Sequence, residues 1–249
     1  MAASLAGAVL LWEAVAWAGF VPAEYFPPPH EVALVLGRTL ASGELSAAWA
    51  LTFARALAGL AGATAIALAV ALLTARYPLA RRAFDPVAEF FRPLPPAALV
   101  PVSIFFLGLG WKLYAFILVF TCFWPVYLNA AASLAAVPRV QLATAASFGY
   151  REWALLVSVR LPAALPEVFI GVRLAAAVSL IATFVAEMLA GRDGLGFTMA
   201  EAAFTLRIPE TFACLVVAMV SGIAMNALVV AARRAACGWH ERLAALHPE

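Results

Sequence analysis

The 249-residue sequence has few charged residues, a single lysine, three cysteines and three histidines. Charged side chains make up 12% of the chain, against about 25% in an average soluble domain. The cysteines form no CxxC pair and the histidines lie outside the apolar segments, which excludes a disulfide framework and a zinc motif. No GxxxxGK[ST] phosphate-binding loop occurs, so a nucleotide that drives this protein must bind to another chain.

Hydrophobic residues, by contrast, make up 65% of the chain, and the mean hydropathy is +0.97. A bilayer core needs about 20 mostly apolar residues for each helix that crosses it. Apolar segments occur at about 5–20, 49–75, 95–109, 113–134, 163–189 and 212–232. We therefore predict an all-α, polytopic membrane protein of about six transmembrane helices, with short loops and no large soluble domain.

The order of these segments predicts three parts. Residues 1–44 hold an N-terminal transmembrane helix and an outer loop, residues 45–233 hold the transmembrane domain, and residues 234–249 form a tail. We expect the first segment to be a retained helix rather than a signal peptide. It has no Lys or Arg before it and no clean small-residue cleavage site before Phe20. The sequence predicts loops at 21–31 and 76–92.

The third segment is short and contains Pro95, Pro96 and Pro101. Non-helical backbone at membrane depth is tolerated only inside protein or beside a cavity. The segment, and Pro101 in particular, is therefore a candidate for the substrate path. An ordinary span that begins at the prolines explains the pattern equally well.

Positive charges predict the orientation, since Lys and Arg accumulate in short cytoplasmic loops. One set of alternate connections carries ten Lys and Arg residues, and the other set carries four. We expect both termini and the stretch 138–162 to face the cytoplasm.

The stretch 138–162 predicts two short helices around Gly149, the second of which ends before Pro162. Such a knob on the membrane surface suits docking into a groove of a soluble partner. An amphipathic loop lying on the bilayer is the alternative, and periodicity alone favours it.

The spacing of residues within this stretch favours docking to a partner over a loop that lies on the bilayer. Gly149 is followed after nine residues by Val159 and then by Leu161-Pro162. This resembles the cytoplasmic EAA loop of binding-protein-dependent ABC permeases, in which Glu-Ala-Ala and three further residues precede the glycine. Here Ala143 stands in place of the glutamate, and Glu152 or Arg151 could take over its anchoring role.

Other segments extend the resemblance over about residues 20–233. FPPPHEV resembles the segment after the first helix of such permeases. RPLPPAALVPVSIFFLGLG, FWPVYLN, LPAALPEVFIGVRLA and VAEMLAGRDGLGF resemble segments of the nitrate, sulfonate and taurine permeases, in the same order.

The resemblance implies the type I ABC importer fold and a membrane-spanning subunit that is not itself an enzyme. It implies a cytoplasmic ABC ATPase dimer that binds ATP and magnesium, and a periplasmic or lipid-anchored solute-binding protein. It also implies a homodimer in the bacterial inner membrane and a small, anionic solute of the sulfonate, taurine or nitrate kind. No cofactor, metal or nucleic acid is expected on this chain.

A coupling helix at about 139–150 follows from the same resemblance. The expected contacts with the ATPase are Ala143, Ala145, Ser147, Phe148, Gly149, Leu161 and Pro162. Phe148 fills an apolar pocket on the ATPase in one interpretation and packs against the chain's own helices in the other.

Two ionisable residues in the fifth segment, Arg173 and Glu187, are further candidates for the substrate path, because charges at membrane depth face a cavity or a partner. They are fourteen residues apart, about 21 Å along a helix, so they cannot pair directly. For Arg173 a structural partner on a neighbouring helix is the favoured alternative.

Two other functions compete with the importer. A secondary transporter predicts internal repeats and carboxylates along a path, and we find no convincing repeat. An intramembrane enzyme needs a nucleophile and base, or a metal cluster, at membrane depth, and no HExxH motif occurs.

Overall fold

The computed structural model describes residues 2–19, 22 and 24–246, and throughout this part of the chain the regular secondary structure is helical. The all-α fold class is therefore confirmed. The helices in chain order are α1 (Ala2–Trp17), α2 (Pro29–Ala41), α3 (Glu44–Arg76), α4 (Pro78–Phe91), α5 (Pro96–Leu107), α6 (Trp111–Ala136), α7 (Arg139–Ser147), α8 (Glu152–Leu155), α9 (Leu161–Ala190), α10 (Leu195–Phe204) and α11 (Ile208–Leu246). A π-helical turn, Leu156–Arg160, joins α8 to α9.

Four stretches of the described chain are long and apolar enough to cross a bilayer. They are Glu44–Arg76, Trp111–Ala136, Glu152–Ala190 and Ile208–Trp239. The pair α4 and α5 makes a fifth if it is one span, although the chain bends by 101° between the two helices. The first and third predicted segments lie on α1 and α5, which have 16 and 12 residues and fall short of a typical span of about 20.

One predicted loop is wrong. The region 76–92, predicted as a loop, contains α4. Pro78 suits the first turn of a helix, where its missing N–H costs nothing, and Phe84, Ala88 and Phe91 then fall on one helical face. The predicted tail 234–249 is the continuation of α11 as far as Leu246, with a non-helical residue at Cys237. The last three residues of that tail lie outside the described part.

The chain divides into two compact units. The first comprises Met1–Ala54 and Phe184–Ser221. Its core contains Leu45, Leu195 and Cys214, and the Trp49 indole N–H donates to the Ser221 hydroxyl at 2.9 Å. An aromatic cluster in the same unit joins three elements, since the rings of Trp12, Phe26 and Phe212 lie within about 6 Å of one another.

The second unit comprises Arg55–Thr183 and Gly222–Glu249, and α6 is its most buried helix. The face of α4 that carries Phe84 packs on the aromatic side chains of α6, with ring centroids 4.9 Å apart for Phe84 and Tyr127. The close approach of α3 to α6 depends on Gly59, because a Cβ at this residue would lie 2.4 Å from the Cβ of Leu118. Gly59 therefore permits close packing of α3 on α6.

The FWPVYLN segment forms a proline-containing turn inside α6. Pro125 has no N–H, and the Asn129 side-chain amide donates to the Pro125 carbonyl at 2.8 Å. Gly171 of α9 packs against this turn, since a Cβ there would lie 2.6 Å from the Cβ of Asn129. The proline, the asparagine and the glycine of two separate motifs therefore form one helix–helix contact.

Candidate functional site

The predicted coupling helix is α7, and it projects from the second unit. Not one of its nine residues, all of which the structure describes, is buried. Phe148, which follows it directly, has 80% of its surface exposed. Packing of Phe148 against the chain's own helices, one of the two alternatives, is therefore not observed.

Gly149 ends this helix through its backbone conformation. Its φ is +89°, a region that side chains other than glycine avoid. The Gly149 N–H donates to the Ala146 carbonyl at 3.0 Å, and the Tyr150 N–H donates to the Ala145 carbonyl at 3.2 Å. These two bonds form the Schellman motif, in which a left-handed residue closes a helix. The motif glycine therefore determines how the chain turns between α7 and α8.

An ion pair fastens the chain after Gly149 to the end of α3. Arg76 Nη2 lies 2.7 Å from Glu152 Oε2. Glu152 has a φ of +46°, which is unusual for a residue other than glycine and requires support from its surroundings. In addition, Arg160 Nε donates to the Leu134 carbonyl at 2.5 Å, near the end of α6. The loop that carries α7 is thus attached to α3 and α6 as well as to α9.

The second short helix does not end before Pro162, contrary to the prediction. Residues Glu152–Ala190 continue as one span through the π-helical turn. In that turn the Leu161 N–H donates to the carbonyl of Leu156, five residues earlier. This wider turn directly precedes Pro162, which lacks an N–H. The proline lies in the first turn of α9, and the helix continues through it.

The residues predicted to contact an ATPase differ in exposure. Ala143, Ser147, Phe148 and Gly149 are exposed, and Ala145 is half-buried. Leu161 and Pro162 are also half-buried and lie at the start of α9, beyond the π-helical turn. The first five residues form the surface that we name the coupling knob.

Glu187 lies in the first unit and is fully buried. Its Oε2 accepts hydrogen bonds from the Thr52 hydroxyl at 2.8 Å and from the Gly196 N–H at 3.0 Å. The Thr52 oxygen in turn accepts from the Leu195 N–H at 2.7 Å. The carboxylate and the hydroxyl therefore cap the first turn of α10, where backbone N–H groups otherwise have no partner.

Two glycines make room for this carboxylate. Gly194 has a φ of +93°, and a Cβ on it would lie 2.3 Å from Glu187 Oε1. A Cβ on Gly196 would lie 2.9 Å from the Cβ of Glu187. The RDGLGF segment after α9 thus folds around Glu187, and α10 begins there.

Arg173 and Pro101 are the other predicted path residues, and both have exposed side chains in the second unit. Arg173 Nε donates to the Asn226 side-chain oxygen on α11 at 2.8 Å, which is the structural partner weighed as the alternative. Pro101 lies inside α5, which is continuous from Pro96 to Leu107. A role for Arg173, Glu187 and Pro101 in the substrate path stays a prediction.

Sequence reasoning missed the roles of Arg76 and Thr52. In the sequence Arg76 is one of the charges that indicate the orientation, and Thr52 is one threonine within a long apolar helix. Their partners are 76 and 135 residues away along the chain. A signal existed for Arg76, because Glu152 was considered as a substitute for the missing glutamate of the loop.

The long apolar helices define a class, that of multi-pass membrane proteins, and the exposed α7 lies in the connection between two of the candidate spans. Residues 63–236 match the family model described as "Binding-protein-dependent transport system inner membrane component". The chain therefore belongs to this family, and it is the membrane-spanning permease subunit of an ABC importer, located in the inner membrane and without ATPase activity of its own.

Similar proteins agree with this assignment. The chain is 28% identical to the taurine transport system permease protein TauC of Escherichia coli (strain K12) over 243 residues, 95% of this chain and 88% of that protein. It is 28% identical to the nitrate import permease protein NrtB of Leptolyngbya laminosa over 148 residues, 59% and 53% of the two chains. Its fold is similar to that in an inward-facing structure of the MetNI methionine ABC transporter, with a TM-score of 0.69, 16% identity and coverage of 79% and 97%.

Proposed function

We propose that the coupling knob is the surface through which this permease subunit receives the conformational change of its ATPase. The observation that carries the proposal is the 80% exposed Phe148 at the end of a helix with no buried residue. Exposed aromatic side chains of this kind are typical anchors of protein interfaces.

The composition of α7 argues against an amphipathic helix lying on the bilayer. Its sequence is RVQLATAAS, in which Val140 and Leu142 are the only large apolar residues. An interfacial helix instead has a broad apolar face that enters the acyl region. Leu142 is half-buried and lines a cavity next to Leu155 and Leu156, so little of α7 remains to enter a membrane.

The attachments of the loop provide the path for the motion. A displacement of the coupling knob is passed to α9 through the continuous chain, to α3 through the Arg76–Glu152 ion pair, and to α6 through Arg160. Rigid helices that move together in this way produce alternating access, driven by a partner that binds two states differently. In this proposal ATP and magnesium bind to the ATPase dimer and no cofactor binds to the permease.

The test is co-purification of the tagged chain with the ATPase expressed beside it. Phe148→Ala is compared with Phe204→Ala, a matched control because Phe204 is 86% exposed and lies at the end of α10. We expect Phe148→Ala to lose the ATPase and Phe204→Ala to retain it. Retention by both variants with unchanged stoichiometry contradicts the proposed docking surface, and no complex even for the unaltered chain favours an ion-driven transporter.

The assembly in this proposal is a homodimer with both termini in the cytoplasm, in contact with a periplasmic or lipid-anchored solute-binding protein. One chain supplies half of a pathway, and two-fold symmetry completes it. The excess of Lys and Arg in the connections that include 138–162 supports the orientation. Reaction of single cysteines at positions 148 and 204 with a membrane-impermeant reagent tests it. In this orientation the connection after α9, which contains 204, lies on the side opposite to 138–162, so only the cysteine at 204 should react in intact cells.

For the solute we propose a small anion with a sulfonate or nitrate group. The support is the similarity to permeases named for taurine and nitrate, together with the exposed guanidinium of Arg173 on α9. Uptake of labelled taurine and of nitrate is compared in cells with and without the intact transporter genes. Loss of uptake of either anion on deletion supports the assignment, and unchanged uptake of both contradicts it.

A further inference from the structure

A small cavity in the second unit is lined by two arginines. It has a volume of about 130 Å³ and is lined by Arg81, Arg160, Thr74, Pro78 and three alanines, with no acidic residue in its lining among the described residues. Two arginines that line one cavity raise the positive potential there, which attracts an anion. Neither Arg173 nor the coupling knob contributes to it.

The helix geometry adds to the positive potential. The 14-residue helix α4 begins at this cavity, with Pro78 at its first position. A helix N-terminus carries a partial positive charge and attracts phosphate and similar groups. The arginines and the helix end therefore favour the same kind of ligand.

The existing partners of the two arginines leave donors available. Arg81 Nε lies 3.4 Å from Asp85 Oδ2, and Arg160 Nε donates to the Leu134 carbonyl. Each of these contacts uses one nitrogen of a group that carries five N–H donors. Asp85 is itself held by the Tyr127 hydroxyl, which donates to its Oδ1 at 3.2 Å.

A second cavity, of about 220 Å³, shares Ala75 and Arg160 with the first and adds Arg76. The Nε of Arg76 is buried and has no hydrogen-bond partner among the described residues. Three arginines therefore line two adjoining cavities. The carboxylates of Asp85 and Glu152 pair with two of them, Arg81 and Arg76.

We propose that the cavity between Arg81 and Arg160 binds the phosphate group of an anionic phospholipid or a free phosphate ion. The planar guanidinium fork matches two phosphate oxygens at once, and the N-terminus of α4 supplies a further positive end. The exposed face of α4 suits a site at the membrane surface, since Leu79 and Phe90 are 79% and 72% exposed. In the orientation proposed above α4 lies on the cytoplasmic side, where anionic headgroups are abundant.

The probes are short-chain phosphatidylglycerol, short-chain phosphatidylcholine and inorganic phosphate, titrated onto the purified, delipidated chain in neutral detergent. The test variant is Arg81→Gln, and its matched control is Arg82→Gln, the next residue, which is exposed and does not line the cavity. Elution as a single species in size exclusion shows that each variant is folded.

We expect saturable binding of phosphatidylglycerol that Arg81→Gln weakens by about tenfold or more, as for loss of a charge-assisted hydrogen bond. Arg82→Gln should leave binding unchanged. Asp85→Asn should strengthen binding, because it removes the carboxylate that competes for Arg81. Equal binding of inorganic phosphate identifies a free anion as the ligand, and binding of phosphatidylglycerol alone identifies the headgroup.

Equal loss of affinity in Arg81→Gln and Arg82→Gln overturns the proposal, since it shows a diffuse surface charge. Equal binding of phosphatidylcholine and phosphatidylglycerol, or no saturable binding of phosphatidylglycerol or phosphate, overturns it as well. None of these readouts depends on the coupling knob, so the site and the docking proposal fail separately.

Discussion

Replacement of Thr52 or Glu187 should release α10 from α9. Thr52→Val removes a hydroxyl that donates to Glu187 and accepts from the Leu195 N–H. A hydrogen bond to a charged group contributes about 1.5–3 kcal/mol, and a buried N–H left without a partner costs about 1–3 kcal/mol. We therefore expect a local destabilisation of about 3 kcal/mol, which corresponds to a change of about 150-fold in an opening equilibrium.

Glu187→Gln keeps the shape of the side chain but replaces one acceptor oxygen with an NH₂ group, and we expect it to cost about 2 kcal/mol. The double variant should cost less than the sum of the two single variants, because they share one hydrogen bond. Thr183→Val is the control: Thr183 is equally buried, and its hydroxyl donates to the Ser179 carbonyl of its own helix at 2.7 Å.

The assay is hydrogen–deuterium exchange of peptides that cover residues 191–204, in the purified protein. Local opening raises the exchange rate of the Leu195 and Gly196 amides in proportion to the opening equilibrium. Faster exchange in Thr52→Val and Glu187→Gln, without a change in Thr183→Val, supports the capping arrangement. Unchanged exchange in both test variants would refute the reasoning.

The remaining predictions concern helix packing and the loop. Gly59→Ala should lower thermal stability by about 1–3 kcal/mol through overpacking against Leu118, whereas Gly62→Ala, whose Cβ meets its nearest atom at 3.5 Å, should be neutral in the same melting assay. Gly149→Ala should lower the free energy of unfolding by about 1–2 kcal/mol through the strained φ alone, since no atom lies within 4 Å of the added Cβ. The same variant should reduce the stimulation of the ATPase by transported solute. A double-mutant cycle of Arg76→Gln and Glu152→Gln, read out as transport, should show coupling between the two residues; additive effects would count against the ion pair.

The sequence was informative where a local pattern determines the structure. The stretch 138–162 predicted a break between two short helices at Gly149, and the apolar segments predicted helices, and both are found. Leu161-Pro162 was recognised by spacing, but its conformation was not, because the π-helical turn that accommodates the proline depends on bonds between residues 156 and 161.

The structure of α4 and the environment of Glu187 could not be predicted in the same way. The charges and prolines of 76–92 indicated a loop, and only the aromatic face of α6 explains why Phe84 and Phe91 form one side of a helix. Glu187 was recognised as an unusual charge in an apolar segment. Its hydrogen-bond partners come from residues 52 and 196, and no periodicity connects them.

The most direct test of the central claim is a site-specific cross-link in the assembled importer. A photoreactive group attached to a single cysteine at position 148 is compared with the same group at position 204, after the native cysteines Cys122, Cys214 and Cys237 have been replaced. The account predicts an adduct with the ATPase at position 148 and none at position 204. An ATPase adduct at position 204, or at neither position in a transporter that still imports its solute, would contradict it.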